Sequence, residues 1–126
     1  MENTDDIFLV VDDDPDMCWA LRHILEKYGF ASQLALSGHE ALALVTAKCF
    51  RLVFLDAKLP DIEGLELAEK MREIDPSVRI VLVSGYYYND DMDVQKAMKN
   101  GLICGFIAKP FLHDVIVKMI NIALSQ

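Results

Sequence analysis

The stretch Ile7-Phe8-Leu9-Val10-Val11-Asp12-Asp13-Asp14-Pro15 decides the fold. Five consecutive apolar residues have the length and composition of a strand buried on both faces, and they run straight into three carboxylates. Two carboxylates about 4 Å apart repel by roughly 4 kcal/mol at an effective dielectric near 20, so such a cluster is costly unless it is solvated or holds a cation. One reading is therefore a divalent-metal site. The other is local: Asp14 caps a helix that Pro15 opens, and the remaining acids are solvated loop charges.

The rest of the chain decides between them. From Pro15, apolar residues Met17, Leu21, Ile24, Leu25 and Tyr28 recur at helical spacing, and Gly29 ends the helix. Ala31 to Ala35 reads as a short strand whose polar Ser32 and Gln33 place it at a sheet edge. Ser37 and Glu40 form a capping-box pattern ahead of a second helix carrying Ala41, Leu42 and Val45 inward. A third strand, Leu52 to Leu55, ends in Asp56, and after a loop through Pro60 and Gly64 a third helix carries Leu65, Ala68, Met71 and Ile74. Val78 to Val83 is a fourth strand ending in Ser84-Gly85; a weaker fourth helix carries Val94, Ala97 and Met98 up to Gly101. Gly105 to Ala108 is a fifth strand ending in Lys109-Pro110, and Val115, Ile116, Met119, Ile120 and Ala123 mark the last helix.

Five strands alternating with five helices through short connections imply a parallel sheet covered on both faces, an α/β fold in which ligands bind outside the carboxyl ends of the strands. Those ends supply Asp12 and Asp13, Asp56, Ser84 and Lys109. Three carboxylates can hold one Mg²⁺ (or Mn²⁺), which prefers oxygen ligands and also takes phosphate oxygens. A carboxylate can itself accept a phosphoryl group, a reaction governed by positioning and charge neutralisation, which the metal and Lys109 would supply. The Ser84 hydroxyl would donate to a phosphoryl oxygen, although a turn-forming role is an equal alternative for it.

Composition narrows the classes. At 126 residues, 53% hydrophobic and 25% charged, the chain reads as a single domain over residues 1–126 with a sizeable core. Twenty acids against twelve bases give a formal charge of −8, which argues against a nucleic-acid surface. Cys18, Cys49 and Cys104, odd in number and widely spaced, read as reduced core thiols of a cytoplasmic protein. Neither a signal peptide nor a membrane-spanning run is legible.

Four ordered motifs, LVVDDDP (Leu9 to Pro15), VFLDAKLPDIEG (Val53 to Gly64), VLVSG (Val81 to Gly85) and GFIAKPF (Gly105 to Phe111), make the chain resemble a receiver domain of two-component response regulators, similar to single-domain chemotaxis regulators. The resemblance implies a flavodoxin-like (βα)5 fold of strand order 2-1-3-4-5. It implies Asp56 as acceptor of a phosphoryl group from a histidine kinase or histidine phosphotransferase, followed by self-dephosphorylation without separate substrate turnover. It assigns Mg²⁺ to Asp13, Asp56 and the Lys58 backbone carbonyl, with Asp12 acting mainly through water, and the phosphoryl group to Ser84 and Lys109. Ser84 and Phe106 become the switch, and the face of the fourth helix, fifth strand and fifth helix becomes a dimer or effector interface. Phe106 also has a plain reading as a core aromatic. Lys58 stands at a position that varies in the family and is expected to modulate phosphoryl lifetime, while Gly85 and Tyr86 open a bulky, triple-tyrosine loop that is unusual there, with Tyr86 expected either to cover the site or to belong to a partner-facing patch.

Three rivals share some of these features. A flavodoxin-like electron carrier would need a hydroxyl- and glycine-rich loop after the first strand, where this chain has acids. An aspartate-nucleophile phosphatase would want a second acid two residues after its nucleophile, where this chain has Lys58. A pseudo-receiver that only binds partners would not need the complete acceptor, metal, hydroxyl and lysine set.

Overall fold

The computed structural model describes residues 7–85 and 91–125. Its elements alternate: β1 (Ile7–Val11), α1 (Pro15–Lys27), β2 (Ala31–Ala35), α2 (Gly38–Ala47), β3 (Leu52–Asp56), α3 (Gly64–Ile74), β4 (Ile80–Ser84), α4 (Met92–Lys99), β5 (Gly105–Ala108) and α5 (His113–Leu124). The strands form one sheet in the order β2-β1-β3-β4-β5, every neighbouring pair parallel. This is the doubly wound order expected from the motifs, with β2 at an edge.

Strand alternation explains why β1, β3 and β4 are apolar along nearly their whole length. Leu9, Val11, Val53, Leu55, Ile80 and Leu82 face one way, into a core closed by α2, α3 and α4 through Ala41, Val45, Leu67, Met71, Val94 and Ala97. Phe8, Val10, Leu52, Phe54, Val81, Val83 and Ile107 face the other way, against Leu21, Leu25, Ile116 and Ile120 of α1 and α5. Burying each such side chain contributes about 1.5–3 kcal/mol, so a one-residue slip of any central strand would interchange its two packed faces.

The helix ends obey their local chemistry. The Asp14 side chain accepts a hydrogen bond from Asp16 N–H at 3.0 Å with Pro15 in the first turn, and Ser37 Oγ accepts from Glu40 N–H at 3.1 Å. Gly29 and Gly101 close α1 and α4 at φ of +85° and +80°, a left-handed backbone that glycine adopts without penalty.

Several details depart from the sequence reading. β4 starts at Ile80, not Val78, because Val78 N–H donates to Asp75 C=O at 3.0 Å in a turn and is spent before the sheet begins; the strand also runs on to include Ser84. The buried side of α3 is Gly64, Leu67, Ala68 and Met71, while Leu65 is half-buried and Ile74 exposed. Tyr28 caps α1 and is exposed, and Cys18 supplies an inward position instead. Met98 of α4 is exposed. Of the cysteines only Cys18 is a core thiol: Cys104 is half-buried, and Cys49, in the connection after α2, is exposed. Among the described residues no helix is long and apolar enough to cross a membrane.

Candidate functional site

Strand parity brings the site together. Asp12 continues the alternation of Phe8 and Val10, Asp56 that of Leu52 and Phe54, and Lys109 that of Ile107, so all three fall toward the α1 and α5 side at the carboxyl end of the sheet. Lys109 Nζ donates to Asp12 Oδ2 at 2.9 Å and to Asp56 Oδ1 at 3.3 Å, closing contacts across 97 and 53 positions of sequence. Asp12 and Asp56 are buried, Asp13 is exposed, and each can offer an oxygen such that all three oxygens lie within 4.8 Å of one another.

Asp12 is held on every side. Its Oδ1 accepts from Asp14 N–H at 2.9 Å, its N–H donates to Ala35 C=O at 3.0 Å, and the buried Cys18 thiol donates to its carbonyl at 3.2 Å. Burial, and next the Asp12 charge, push that thiol up to about 11, so it stays protonated and acts as a donor, not a nucleophile.

One ammonium serves two buried carboxylates and sits closer to Asp12. Asp56 is consequently undercompensated: burial first, then the charge of Asp12, raise its carboxyl above the ordinary range, against the opposing pull of Lys109 and of the Lys58 backbone N–H. For Lys109 burial favours the neutral amine, but its hydrogen bond to Asp12 and the charges of Asp56 and Asp12 outweigh that, and its ammonium is held above the usual lysine range. The result is a permanent cation beside a carboxylate that is neither well solvated nor fully paired, which suits a nucleophile more than a structural ion pair.

The opposite parity holds the second group of residues. Ser84 is buried at the end of β4 and its carbonyl accepts Lys109 N–H at 2.8 Å. Phe106 pairs with Leu82 and Ala108 with Ser84 in the β4–β5 register, so Phe106 and Ser84 are diagonal neighbours on one face. Phe106 is half-buried, packing on the α2–α4 side core and lining a groove with Val94, Met98 and Met119. Gly85 is exposed, and a Cβ there would lie 3.6 Å from Lys109 Cβ. Lys58 is exposed on the loop after β3, while Tyr86 lies outside the described residues. The peptide Lys109–Pro110 is cis.

Two contributors were not singled out from sequence. Gly64 packs so tightly on the end of β3 that a Cβ would stand 2.5 Å from the Asp56 carbonyl and 2.7 Å from Ala57 Cα. Asp61 reaches from the same loop to α2, with Oδ1 accepting from Gly38 N–H at 3.0 Å and Oδ2 from His39 N–H at 2.9 Å. A glycine eight residues after a strand-ending acid was visible in the sequence; its close approach was not.

The oxygens of Asp12, Asp13 and Asp56 fit a small hard cation. Adjacent ligands of octahedral Mg²⁺, with bonds of about 2.1 Å, lie roughly 3 Å apart, so a pair of these oxygens at the 4.8 Å limit would close by about 1.8 Å or hold a water between them.

The response regulator receiver domain family matches residues 8–121. Sporulation initiation phosphotransferase F of Bacillus subtilis (strain 168) is 33% identical over 109 residues, covering 86% of this chain and 85% of that protein. A response regulator receiver domain protein (CheY-like) from Methanospirillum hungatei JF-1 superposes with a TM-score of 0.86 at 30% identity, covering 95% of this chain and 94% of that one. The response regulator TrrA from Thermotoga maritima, solved in complex with Mg²⁺-BeF, gives a TM-score of 0.79 at 27% identity, covering 92% and 96% of the two chains. Other curated relatives are longer transcriptional regulatory proteins, of whose length the chain spans about a quarter. The chain belongs to the response regulator receiver domain family, the receiver module of two-component signalling.

Proposed function

We propose that Asp56 accepts a phosphoryl group from the phosphohistidine of a histidine kinase or histidine phosphotransferase, in a reaction that requires Mg²⁺ (or Mn²⁺). The observation that carries this reading is the undercompensated Asp56 carboxylate at the end of β3, sharing one Lys109 ammonium with Asp12. A carboxylate oxygen of Asp56 forms the new O–P bond as the P–N bond to the partner's imidazole breaks, and that imidazole leaves with the electron pair and takes up a proton. Lys109, already positioned on Asp56, tracks the negative charge onto a phosphoryl oxygen, and Ser84 donates its hydroxyl hydrogen to another. Asp13, Asp12 and the Lys58 carbonyl, with Asp56, would hold the metal. Bound there, Mg²⁺ supplies charge neutralisation at the phosphoryl oxygens.

Water attack on the acyl phosphate reverses the state, so the domain assists its own phosphorylation and dephosphorylation without separate substrate turnover. Lys58, at the mouth of the site, modulates that lifetime. Drawing Ser84 toward the phosphoryl group vacates space on the face it shares with Phe106, and the ring turns inward. That population shift changes the α4–β5–α5 surface, which serves as a dimer or effector interface. Residues 1–126 act as one cytoplasmic domain.

Incubation with acetyl phosphate and Mg²⁺, followed by intact mass measurement, tests the assignment. Wild type gains one phosphoryl group, and neither Asp56→Asn nor wild type stripped of metal gains any. An adduct that persists in Asp56→Asn refutes the acceptor assignment.

A further inference from the structure

The loop that succeeds Asp56 is anchored twice. At its base Gly64 N–H donates to Ala57 C=O at 2.7 Å, and within it Lys58 pairs with Glu63 while Leu59 N–H donates to Ile62 C=O at 3.3 Å. This makes a small closed hairpin with Lys58 on one limb and Asp61 near the tip. A hairpin held only at its base can rock about that base. Here the tip is held as well, because the Asp61 carboxylate bridges the two leading amides of α2 and Ile62 fills the space that a side chain on Gly38 would occupy.

α2 has a local cap of its own at its third amide, and the bridge takes the two leading amides that this cap does not reach. Ser37 Oγ already caps Glu40 N–H, and Glu40 Oε1 accepts Leu36 N–H at 2.7 Å. The bridge comes instead from a residue 22 and 23 positions away, whose charge is stabilised by it: hydrogen bonds from Gly38 and then His39 hold the Asp61 carboxyl below the ordinary carboxylate range. Asp61 is otherwise exposed, so its hold on α2, beside the packing of Ile62 at Gly38, is what locates the tip.

We propose that Asp61 is a positioning residue: by tying the tip of the β3–α3 loop to the N-terminus of α2, it fixes the Lys58 carbonyl where an octahedral Mg²⁺ requires it. The inference rests on the metal reading of Asp12, Asp13, Asp56 and Lys58 given above. Mg²⁺ demands near-ideal geometry whereas Ca²⁺ accepts irregular shells, so loosening one ligand should weaken the two metals unequally.

The test is calorimetric titration of Mg²⁺ and of Ca²⁺ into metal-free wild type, Asp61→Asn, Asp61→Ala and Gly38→Ala, with folding of each checked by circular dichroism. Asp61→Ala should raise the Mg²⁺ Kd by about tenfold, as loss of outer partners of metal ligands commonly does, while the Ca²⁺ Kd moves less than about twofold. Asp61→Asn, which keeps one acceptor oxygen, should fall between. Gly38→Ala displaces Ile62 from the α2 side and should shift the Mg²⁺ to Ca²⁺ ratio in the same direction, so the inference does not depend on any one variant folding. Unchanged Mg²⁺ affinity in the folded variants, or equal weakening of both metals, overturns it while leaving the metal site intact. A wild type without Mg²⁺ affinity overturns both readings.

Discussion

Replacing Asp13 with asparagine should make the metal-free protein more stable. The oxygens that Asp12, Asp13 and Asp56 can offer lie within 4.8 Å of one another. At roughly that separation two unit charges repel by about 0.9 kcal/mol in a water-like dielectric and by about 3.5 kcal/mol at an effective dielectric of 20. Asp13 is exposed, which favours the lower figure, and Lys109 offsets part of the charge of the other two. The net repulsion relieved by Asp13→Asn is therefore about 1–2 kcal/mol. In urea this should move the unfolding midpoint up by about 0.5–1 M without changing the slope. Mg²⁺ should narrow the gap: at about ten times its Kd it adds roughly 1.4 kcal/mol to wild type, and clearly less to a variant that has lost a charged ligand. High salt should shrink the metal-free difference, because an exposed charge is screened. A less stable Asp13→Asn protein, or equal stabilisation of both proteins by Mg²⁺, would refute the reasoning that this cluster is strained until a cation enters.

The remaining predictions concern Asp56, Gly64 and the thiols. Because the folded Asp56 carboxyl titrates above its unfolded value, it favours the folded state below the ordinary carboxylate range and loses that contribution as pH rises through the folded value. Metal-free stability measured from acid toward neutrality should thus carry a falling component that Asp56→Asn removes; an identical pH profile for the variant would contradict it. Gly64→Ala sets a Cβ against backbone atoms of Asp56 and Ala57 that cannot move aside, and should cost about 2–3 kcal/mol in denaturant unfolding. A loss under about 0.5 kcal/mol would mean that the loop base yields. Native-state alkylation should modify Cys49 rapidly and leave Cys18 unreacted, since the Cys18 thiol is buried and raised to about 11, and Cys49→Ser should abolish the fast phase. Rapid loss of the Cys18 thiol in folded protein would count against its burial beside Asp12.

The legible part of the fold is the part set by burial on two faces. β1 falls where its apolar run puts it, because a strand covered by helices on both sides leaves an unbroken signature, and β2 falls at the edge that its Ser32 and Gln33 announce. The misplaced start of β4 has the opposite cause. Val78 is apolar and buried, but its N–H is committed to Asp75 in a turn, and hydrophobicity says nothing about where a backbone donor is spent. The inward side of α3 was displaced for a related reason. Gly64 meets the end of β3 backbone to backbone and so fixes the rotation of the helix, and a residue without a side chain adds nothing to a hydrophobic stripe.

The site divides along the same line. Asp12, Asp56, Ser84 and Lys109 were legible because each ends a strand, and in a parallel sheet all strand ends meet at one edge. Residue types alone could not assign which carboxylate Lys109 favours, and the chemistry turns on that asymmetry. An ammonium centred between Asp12 and Asp56 would neutralise both alike. At 2.9 Å from one and 3.3 Å from the other it leaves Asp56 the less compensated, and the Asp14 amide adds to the support of Asp12. Asp12 can take that role because β1 turns immediately into α1, whose first residues bring the Asp14 amide back onto its carboxylate. Asp56 is instead succeeded by a hairpin tied down at Gly64 and Asp61, both beyond the strand. Two strand-ending aspartates of identical chemistry are thus set apart by the segment on the C-terminal side of each: the Asp14 amide and the shorter Lys109 contact fix Asp12 as a counter-ion, while Asp56, buried ahead of an anchored loop, keeps the longer Lys109 contact.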